Sequence, residues 1–238
     1  MNDKIPKEKN RLYGRKQTRP LSDIKQAVTD ELLARLQPDI ATVRAAKSLT
    51  IAQLFGKNVE PVWFEIGFGS GEHLIGLMKQ HPAVRLIGAE PFINGMANFL
   101  HAFDQEKLPD DNVRVWMNDA ILLAERLPDR SLERIYVLNP DPWPKKRHHK
   151  RRIISQENLT TFARIMKPGG LLIMSTDVAD LADWMVTQAS LHPAFRWTAT
   201  KADDWRVMPT DWIPTRYEGK GKARGRQQVY LNFVREVD

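Results

Sequence analysis

Residues 64–71 read FEIGFGSG, with glycine at three alternate positions at the end of a short apolar run at 62–66. The apolar run is typical of a buried strand, and the pattern from 72 to about 80 is typical of a helix. Glycine is required where a backbone takes unusual angles and lets a ligand lie against it. The stretch therefore predicts a strand, a glycine turn and a helix, although such a turn can also be a purely structural connection.

The alternation of strands and helices continues along the chain. Further strands are predicted at 85–89, 113–117, 134–138 and 171–175, and helices at 23–37, 93–105, 120–126, 157–166 and 180–189. Strands that alternate with helices form a mostly parallel sheet covered on both faces. We therefore expect an α/β fold, a Rossmann-like doubly wound sheet, as a single domain at 21–238.

The C-terminal part departs from this alternation. Residues 196–200 and 229–235 are expected to pair as closing antiparallel strands, which leaves 201–228 as a long insertion between them. A connection of this length that holds aromatic and charged side chains is more often functional than idle. We therefore expect the insertion to bind substrate.

Three carboxylates lie at the carboxyl ends of successive predicted strands. Glu65 precedes the glycine turn, Glu90 closes the next strand, and Asp119 lies just beyond the third. The carboxyl ends of the strands form the ligand-binding edge of such sheets, where an acid can accept from ribose hydroxyls or an adenine amine. Each acid could also cap a helix. Because Glu72 stands where the dinucleotide fingerprint needs its last glycine, the pattern favours a nucleoside cofactor over a dinucleotide.

The positive charge of the chain is concentrated in three segments. Net charges of +5, +6 and +4 fall in residues 1–20, 145–152 and 216–226, so the remainder of this +7 chain carries −8. One basic run alone is usually a solvated loop, but three of them on an acidic body indicate a surface that binds nucleic acid. Residues 1–20 contain few large apolar side chains and are expected to form a basic, disordered arm.

The segment at 137–152, VLNPDPWPKKRHHKRR, joins the end of a strand to three prolines and six Lys/Arg residues. Proline fixes its own φ and biases the preceding residue toward extended conformations, so Asp141 and Trp143 are expected to be held in place. Trp143 is as compatible with packing under the loop as with stacking on a base. A fixed carboxylate beside strong positive charge suits a flat polar substrate attached to a polyanion.

These motifs resemble those of a known enzyme family. The G-x-G-x-G turn after an acid resembles motif I of class I S-adenosylmethionine-dependent methyltransferases. The PDPWPKKRHHKRR run resembles the signature of the bacterial tRNA (guanine-N7-)-methyltransferases, the TrmB family, and residues 175–177 (STD) and 215–218 (TRYE) resemble two further motifs of that family. The resemblance implies a methyltransferase domain, S-adenosyl-L-methionine as cofactor, tRNA as partner, and conversion of a variable-loop guanosine to 7-methylguanosine.

The resemblance also implies roles for individual residues, with Asp141 as the catalytic one. The residues implied to contact S-adenosyl-L-methionine are Glu65, Gly67, Gly69, Gly71, Glu90, Asp119 and Asp141. Those implied to bind the guanosine are Lys145, Asp177, Thr215, Arg216, Tyr217 and Glu218. The tRNA contacts expected from the basic run are Lys146, Arg147, His148, His149, Lys150, Arg151 and Arg152.

The chemistry of N7 methylation fits these residue types. Guanine N7 offers an in-plane lone pair and loses no proton on methylation, so positioning does most of the work. A fixed carboxylate such as Asp141 stabilises the positive charge that develops on the purine. Carboxylates at Asp177 and Glu218 could accept from guanine N1–H and the 2-amino group, a face that no other base presents.

Other classes of protein fit the sequence less well. The absence of cysteine excludes disulfides and Cys-based zinc sites, and no apolar run is long enough to span a bilayer. We therefore expect a cytoplasmic protein without a metal, and a monomer or weak homodimer. The nearest rival is an amino-group methyltransferase, although Asp141 interrupts the loop of that class. Two further rivals are a non-catalytic RNA-binding protein with a decayed cofactor fold and a nicotinamide-dependent oxidoreductase.

Overall fold

The computed structural model describes residues 12–14 and 16–237. Its centre is a seven-stranded sheet of order β3-β2-β1-β4-β5-β7-β6, in which β7 runs antiparallel to both of its neighbours. The strands are β1 (Val62–Ile66), β2 (Arg85–Ala89), β3 (Val113–Trp116), β4 (Leu132–Leu138), β5 (Met166–Thr176), β6 (Phe195–Trp197) and β7 (Val229–Arg235). The predicted α/β fold and the antiparallel pairing of the last two strands are confirmed.

Helices cover both faces of the sheet. They are α1 (Asp23–Leu36), α2 (Ile40–Ala45), α3 (Ile51–Phe55), α4 (Glu72–Gln80), α5 (Ile93–Gln105), α6 (Ala120–Ala124), α7 (Gln156–Ile165), α8 (Ala179–Leu191), α9 (Asp203–Arg206) and α10 (Arg216–Lys222). Helices α1, α4 and α5 share one apolar core with Trp63 of β1, whereas α6, α7 and α8 share a second with the adjacent Phe64. Because side chains alternate along a strand, β1 is buried on both faces, as a parallel sheet requires.

Most predicted boundaries agree with the structure, but β5 begins at Met166 rather than at 171. The Pro-Gly-Gly segment at 168–170, which separates the predicted helix at 157–166 from the predicted strand at 171–175, lies within the strand. Met166 pairs with Leu132, and the register then shifts before Leu171 pairs with Arg134. A local irregularity of this kind lets a strand include a proline that cannot donate to the ladder.

The order of the strands creates a crevice at the carboxyl edge of the sheet. After β1 the chain builds β2 and β3 on one side, and then crosses over to build β4 on the other side of β1. The connections that leave β1 and β4 diverge, and ligands of open α/β sheets bind at such a point. The glycine turn follows β1 and the proline loop follows β4, so both motifs lie at this crevice.

The insertion at 201–228 packs against α4, the helix that follows the glycine turn. Ile213 lies so close to Gly76 that a Cβ at that glycine would be 2.7 Å from Ile213 Cγ2. Trp212 joins the core formed by α1, α4 and α5. The insertion is therefore docked on the helix that begins at the crevice.

The N-terminal segment meets the start of α5. The Ile93 amide donates to Lys16 O (3.0 Å), and the Thr18 amide donates to Asn94 Oδ1 (2.9 Å). The predicted disordered arm at 1–20 falls mostly on residues 1–11 and 15, which lie outside the described residues. Disorder of that arm stays a prediction.

Candidate active site

The glycine turn has left-handed backbone at all three glycines. Gly67, Gly69 and Gly71 have φ of +74°, +60° and +82°, a region that residues with a Cβ rarely adopt. A Cβ at Gly71 would lie 2.4 Å from the ring of Phe99, whereas a Cβ at Gly67 or Gly69 would meet no heavy atom within 4 Å. Packing therefore requires the third glycine, and the first two leave the backbone of the turn open to a ligand.

Glu90 lies beside the turn and is bonded to it. Its Oε2 accepts from the Gly69 amide (2.7 Å), and its Oε1 accepts from the Phe92 amide (2.9 Å). Burial raises the pKa of Glu90 to about 7, against the two amide bonds and with smaller raising effects from Asp141 and Glu65. The acid predicted to receive ribose hydroxyls thus titrates near neutrality.

Glu65 is engaged in a buried polar pair with His73. Glu65 Oε2 lies 2.9 Å from His73 Nδ1, and both side chains are 3% exposed. The His73 ring packs against Tyr136 and Trp212, with centroids 4.9 and 5.9 Å apart. Sequence reasoning missed His73, whose one signal is its place in the first turn of the helix after the glycines. The pair links the acid of the glycine turn to the insertion, while a cofactor contact by Glu65 stays a prediction.

Asp119 caps a helix, as the alternative interpretation of this residue anticipates. Its Oδ1 accepts from the Ile121 amide (2.9 Å) at the start of α6. Asp119 also lines a cavity of about 400 Å³, together with Tyr13, Arg151 and Ser155 among others. Capping fixes the carboxylate at this cavity, and its contact with adenine stays a prediction.

The proline loop contains two residues with left-handed backbone. Asn139 and Trp143 have φ of +48° and +45°, so the expectation that proline keeps the preceding residue extended is wrong at both. Asn139 is held by its amide, which donates to Ser175 O (2.8 Å), and by its Oδ1, which accepts from Gln228 Nε2 (2.9 Å). Backbone of this kind is costly for a non-glycine residue and concentrates at functional sites.

Asp141 and Trp143 face the N-terminal segment. A Cβ on Gly14 would lie 4.0 Å from Asp141 Oδ2. Asp141 is exposed as a whole, and partial desolvation of its carboxyl raises the pKa of this group above its usual range. Trp143 makes an edge-to-face contact with Tyr13 (6.2 Å) and lies under the Arg151 guanidinium (4.9 Å). Side chains of the protein itself pack Trp143, which favours a structural role over base stacking.

The basic run forms a 3₁₀ helix, Lys146–Arg151, whose first residues point to solvent. The exposed members of the run are Lys145, Lys146, Arg147 and Lys150. His149 packs edge-to-face against Trp184 with centroids 5.4 Å apart. The exposed cations remain candidates for tRNA contact, whereas one side of the His149 ring is covered by Trp184.

Arg152, predicted to contact tRNA, is buried in the structure, and its contact with tRNA stays a prediction. Its side chain is 1% exposed and forms an ion pair with Asp180, whose pKa is lowered mainly by that hydrogen bond. Arg152 Nε also donates to Pro142 O (2.9 Å), in the proline loop. The 3₁₀ helix ends before Arg152, so the side chain turns inward and fastens the loop to α8.

Thr215 and Glu218 form a capping box at the start of α10. Thr215 Oγ1 accepts from the Glu218 amide (3.2 Å), and Glu218 Oε2 accepts from the Thr215 amide (3.3 Å) and from Trp212 Nε1 (3.0 Å). Glu218 Oε1 accepts from the Tyr230 hydroxyl (2.7 Å). Burial raises the pKa of Tyr230, and the bond to Glu218 adds to this. Both carboxylate oxygens of Glu218 are therefore engaged in holding α10.

Arg216 and Tyr217, the other two residues of this motif, are exposed. Arg216 is 72% exposed and lies 3.8 Å from Glu72 at the start of α4, and Tyr217 is 49% exposed. The motif thus divides into two residues that hold the helix and two that are accessible to a substrate.

Asp177 lies under α10 at the carboxyl end of β5. Its side chain is 3% exposed, and its Oδ2 accepts from Arg226 Nη1 (3.3 Å). Gly221 is required next to it, because a Cβ there would lie 2.4 Å from Asp177 Oδ2. Asp177 Oδ1 and Gln228 Oε1 are both buried without a hydrogen-bond partner in the described part of the chain. Sequence reasoning missed Gln228, whose only signal is its place at the end of the insertion.

The described residues contain no metal site and no membrane-spanning helix. No group of three or more His, Asp or Glu side chains in residues 12–14 and 16–237 is arranged to hold a metal ion. Within the same residues, no helix is long and apolar enough to cross a membrane.

Known proteins resemble the chain over nearly its whole length. A family profile described as "Putative methyltransferase" matches residues 59–231. A tRNA (guanine-N(7)-)-methyltransferase of Rhodospirillum rubrum is 41% identical over 97% of this chain and 89% of its own. Another, of Azorhizobium caulinodans, is 44% identical over 95% of this chain and 96% of its own.

Solved structures agree with the fold. The 16S rRNA methyltransferase KamB aligns with 92% of this chain and 96% of its own, with a TM-score of 0.55 at 14% identity. An antibiotic-related methyltransferase aligns with the same shares at a TM-score of 0.51 and 18% identity. At these identities the likeness concerns the fold alone.

Proposed function

The chain belongs to the family of tRNA (guanine-N(7)-)-methyltransferases, and on that premise we propose that it transfers a methyl group from S-adenosyl-L-methionine to N7 of a guanosine in tRNA. The observation that carries this proposal is an identity of 41% and 44%, over at least 95% of the chain, to two enzymes named for that activity. The open glycine turn and the proline loop with its basic run, which meet at one crevice, support this proposal. This membership disfavours an oxidoreductase and a non-catalytic RNA-binding protein.

The residues around the glycine turn fit S-adenosyl-L-methionine. The backbone at Gly67 and Gly69 borders open space, and the carboxylate of Glu90 lies beside it. We assign Glu90 to the ribose hydroxyls of the cofactor and Asp119 to its adenine amine. Asp141, on the side of the crevice formed after β4, is assigned to the cofactor near the methyl group that is transferred. When bound, this cofactor supplies an electrophilic methyl group.

The exposed basic side chains fit a tRNA. We assign Lys146, Arg147 and Lys150 to backbone phosphates, since they extend from the 3₁₀ helix next to the crevice. Cationic contacts of this kind release counterions and make affinity fall with salt. Lys145 and Arg216 are assigned to the target nucleotide, which we place in the variable loop on the family resemblance. The base has to be exposed or flipped before it can enter the crevice.

The catalytic contribution of the chain is positioning and electrostatics. The N7 lone pair would form the bond to the methyl group as the bond between that methyl and the sulfur of the donor breaks, so the base needs no proton removed. Positive charge then develops on the purine ring, and the Asp141 carboxylate, fixed between two prolines, stabilises it. Asn139 holds the start of this loop through its bond to β5. A tRNA substrate implies action in the cytoplasm, and we propose a monomer or weak homodimer.

Methyl transfer is tested by incubating the purified protein with labelled S-adenosyl-L-methionine and unmodified tRNA, followed by digestion to nucleosides. Label in 7-methylguanosine is the expected result. Label in a nucleoside methylated on an exocyclic amine would support the amino-group rival instead. No label on any tRNA, despite binding of cofactor and RNA, would contradict the proposed function.

A further inference from the structure

Asp177 and Gln228 present three acceptor atoms close to the crevice, and this arrangement points to how the target base is chosen. We propose that Gln228 is a specificity-determining residue that accepts a hydrogen bond from the 2-amino group of guanine, beside Asp177. The inference rests on the proposed function and names a residue that the sequence motifs do not include.

The pairing of β5 with β7 places the two side chains together. The ladder ends with Thr176 opposite Val229, so Asp177 and Gln228 stand opposite each other one step further on. Residues opposite each other on neighbouring strands direct their side chains to the same face of the sheet. Both side chains are therefore directed to one face of the sheet, and Gln228 Nε2 is fixed by its bond to Asn139 in the proline loop.

The hydrogen bonds at this place are incomplete. Asp177 Oδ1 and Gln228 Oε1 are buried acceptors without a partner in the described part of the chain. Buried polar atoms of folded proteins almost always have a hydrogen-bond partner. Two neighbouring acceptors without one therefore indicate a site where a ligand supplies the donors. Glu218, the second acceptor predicted from sequence, has both oxygens engaged with Trp212, Thr215 and Tyr230.

The donors of guanine match these acceptors in number. The N1–H and one 2-amino hydrogen are parallel and suit the two oxygens of a carboxylate, as the donors of arginine do. The second 2-amino hydrogen remains, and Gln228 Oε1 is the third acceptor. In the free protein a guanidinium, that of Arg226, already contacts Asp177 Oδ2 (3.3 Å). Arg226 is 44% exposed, and base binding displaces it toward solvent.

The test compares tRNA that carries guanosine at the target position with tRNA that carries inosine there, which lacks only the 2-amino group. The readout is kcat/KM for methyl transfer to each tRNA, for the wild type and for Gln228→Met. Loss of one neutral hydrogen bond predicts a fall of about 3- to 10-fold on the guanosine tRNA. The variant also loses the bond to Asn139, but it does so with both tRNAs. The fall should therefore be larger on the guanosine tRNA than on the inosine tRNA, where the 2-amino donor is already missing.

Two further variants distinguish the two roles of Gln228, which are to accept a hydrogen bond from guanine and to hold Asn139 in the proline loop. Gln228→Glu keeps an acceptor but loses the donor to Asn139, so it should keep the preference for guanosine over inosine. Gln227→Met is the matched control at the exposed neighbouring position, and should change neither rate. An equal fall on both tRNAs for Gln228→Met, or no fall on either, would overturn the inference. An inactive wild type would instead overturn the proposed function.

Discussion

The two sides of the crevice differ in how their functional groups are fixed. On the side of β1, β2 and β3, each acid lies at the end of a regular strand and is held by a group close to it in sequence. Glu90 accepts from the Gly69 and Phe92 amides, Asp119 from the Ile121 amide, and Glu65 pairs with His73. On the side of β4 and β5, groups distant in sequence are fixed by one another. Asn139 depends on Gln228, and Arg152 joins the proline loop to Asp180.

This difference has a physical origin. A parallel strand brings its last residue to the edge of the sheet whatever follows it, so one side needs only local patterns. The other side depends on a loop with left-handed residues and on an insertion that begins and ends at neighbouring strands, β6 and β7. We expect substitutions on the first side to act on cofactor binding and those on the second to act on the substrate and on turnover.

The largest expected effect is on turnover, from the substrate side. In the proposed mechanism, the Asp141 carboxylate stabilises positive charge on the purine. For Asp141→Ala, kcat should therefore fall about 100-fold or more, as for loss of one preorganised group. The affinity for tRNA should change less than about threefold, because phosphate contacts dominate it. Asp104→Ala, at an exposed aspartate of α5, is the control. A near-normal kcat for Asp141→Ala would remove this residue from the mechanism.

Arg152 and Arg147 allow a matched comparison within the basic run. Arg152→Ala removes a buried guanidinium that holds the proline loop. Because Asp180 is exposed and stays solvated, the loss comes mainly from the hydrogen bond to Pro142 O. We expect a fall of about 2 kcal/mol in the free energy of unfolding, measured with urea. Arg147→Ala should leave unfolding unchanged and should reduce the salt slope of tRNA binding by about one. If the two variants exchanged these effects, our assignment of the run would be incorrect.

A smaller, pH-dependent effect is expected from Glu90 on the cofactor side. Its folded pKa of about 7 lies above the ordinary value of 4.5, so the folded protein binds the proton more tightly than the unfolded chain does. Stability contributed by this group is therefore present below pH 4.5 and is lost as the pH rises to 7. Relative to Glu90→Gln, the wild type should lose on the order of 2 kcal/mol between about pH 5 and 8.

Unfolding of both Glu90 proteins in urea across this pH range measures the difference. A constant difference would mean that Glu90 titrates at its ordinary pKa in the folded protein. The same Gln variant should weaken binding of S-adenosyl-L-methionine, since an amide offers one acceptor oxygen where the carboxylate offers two. Unchanged cofactor affinity would remove Glu90 from the ribose contact.

Sequence patterns predicted the regular part of the fold well. The apolar run at 62–66 and the helical period at 72–80 and 93–105 match β1, α4 and α5, because burial on a sheet or helix face imposes its own spacing. The start of β5 was not predictable from local signals. Proline and glycine at 168–170 indicate a break, but pairing with β4 keeps these residues in the strand.

By itself, the sequence determined the α/β sheet, the glycine turn, the acids at the strand ends and the concentration of positive charge. These follow from spacing and composition, which local physics translates into structure. Only the tertiary structure decided that Arg152 is buried and that both carboxylate oxygens of Glu218 accept hydrogen bonds within the protein. It also decided that β5 and β7 pair up to Thr176 and Val229, which brings the ends with Asp177 and Gln228 together. Those outcomes depend on which distant segments meet, and a buried polar group is defined by the partners it finds there.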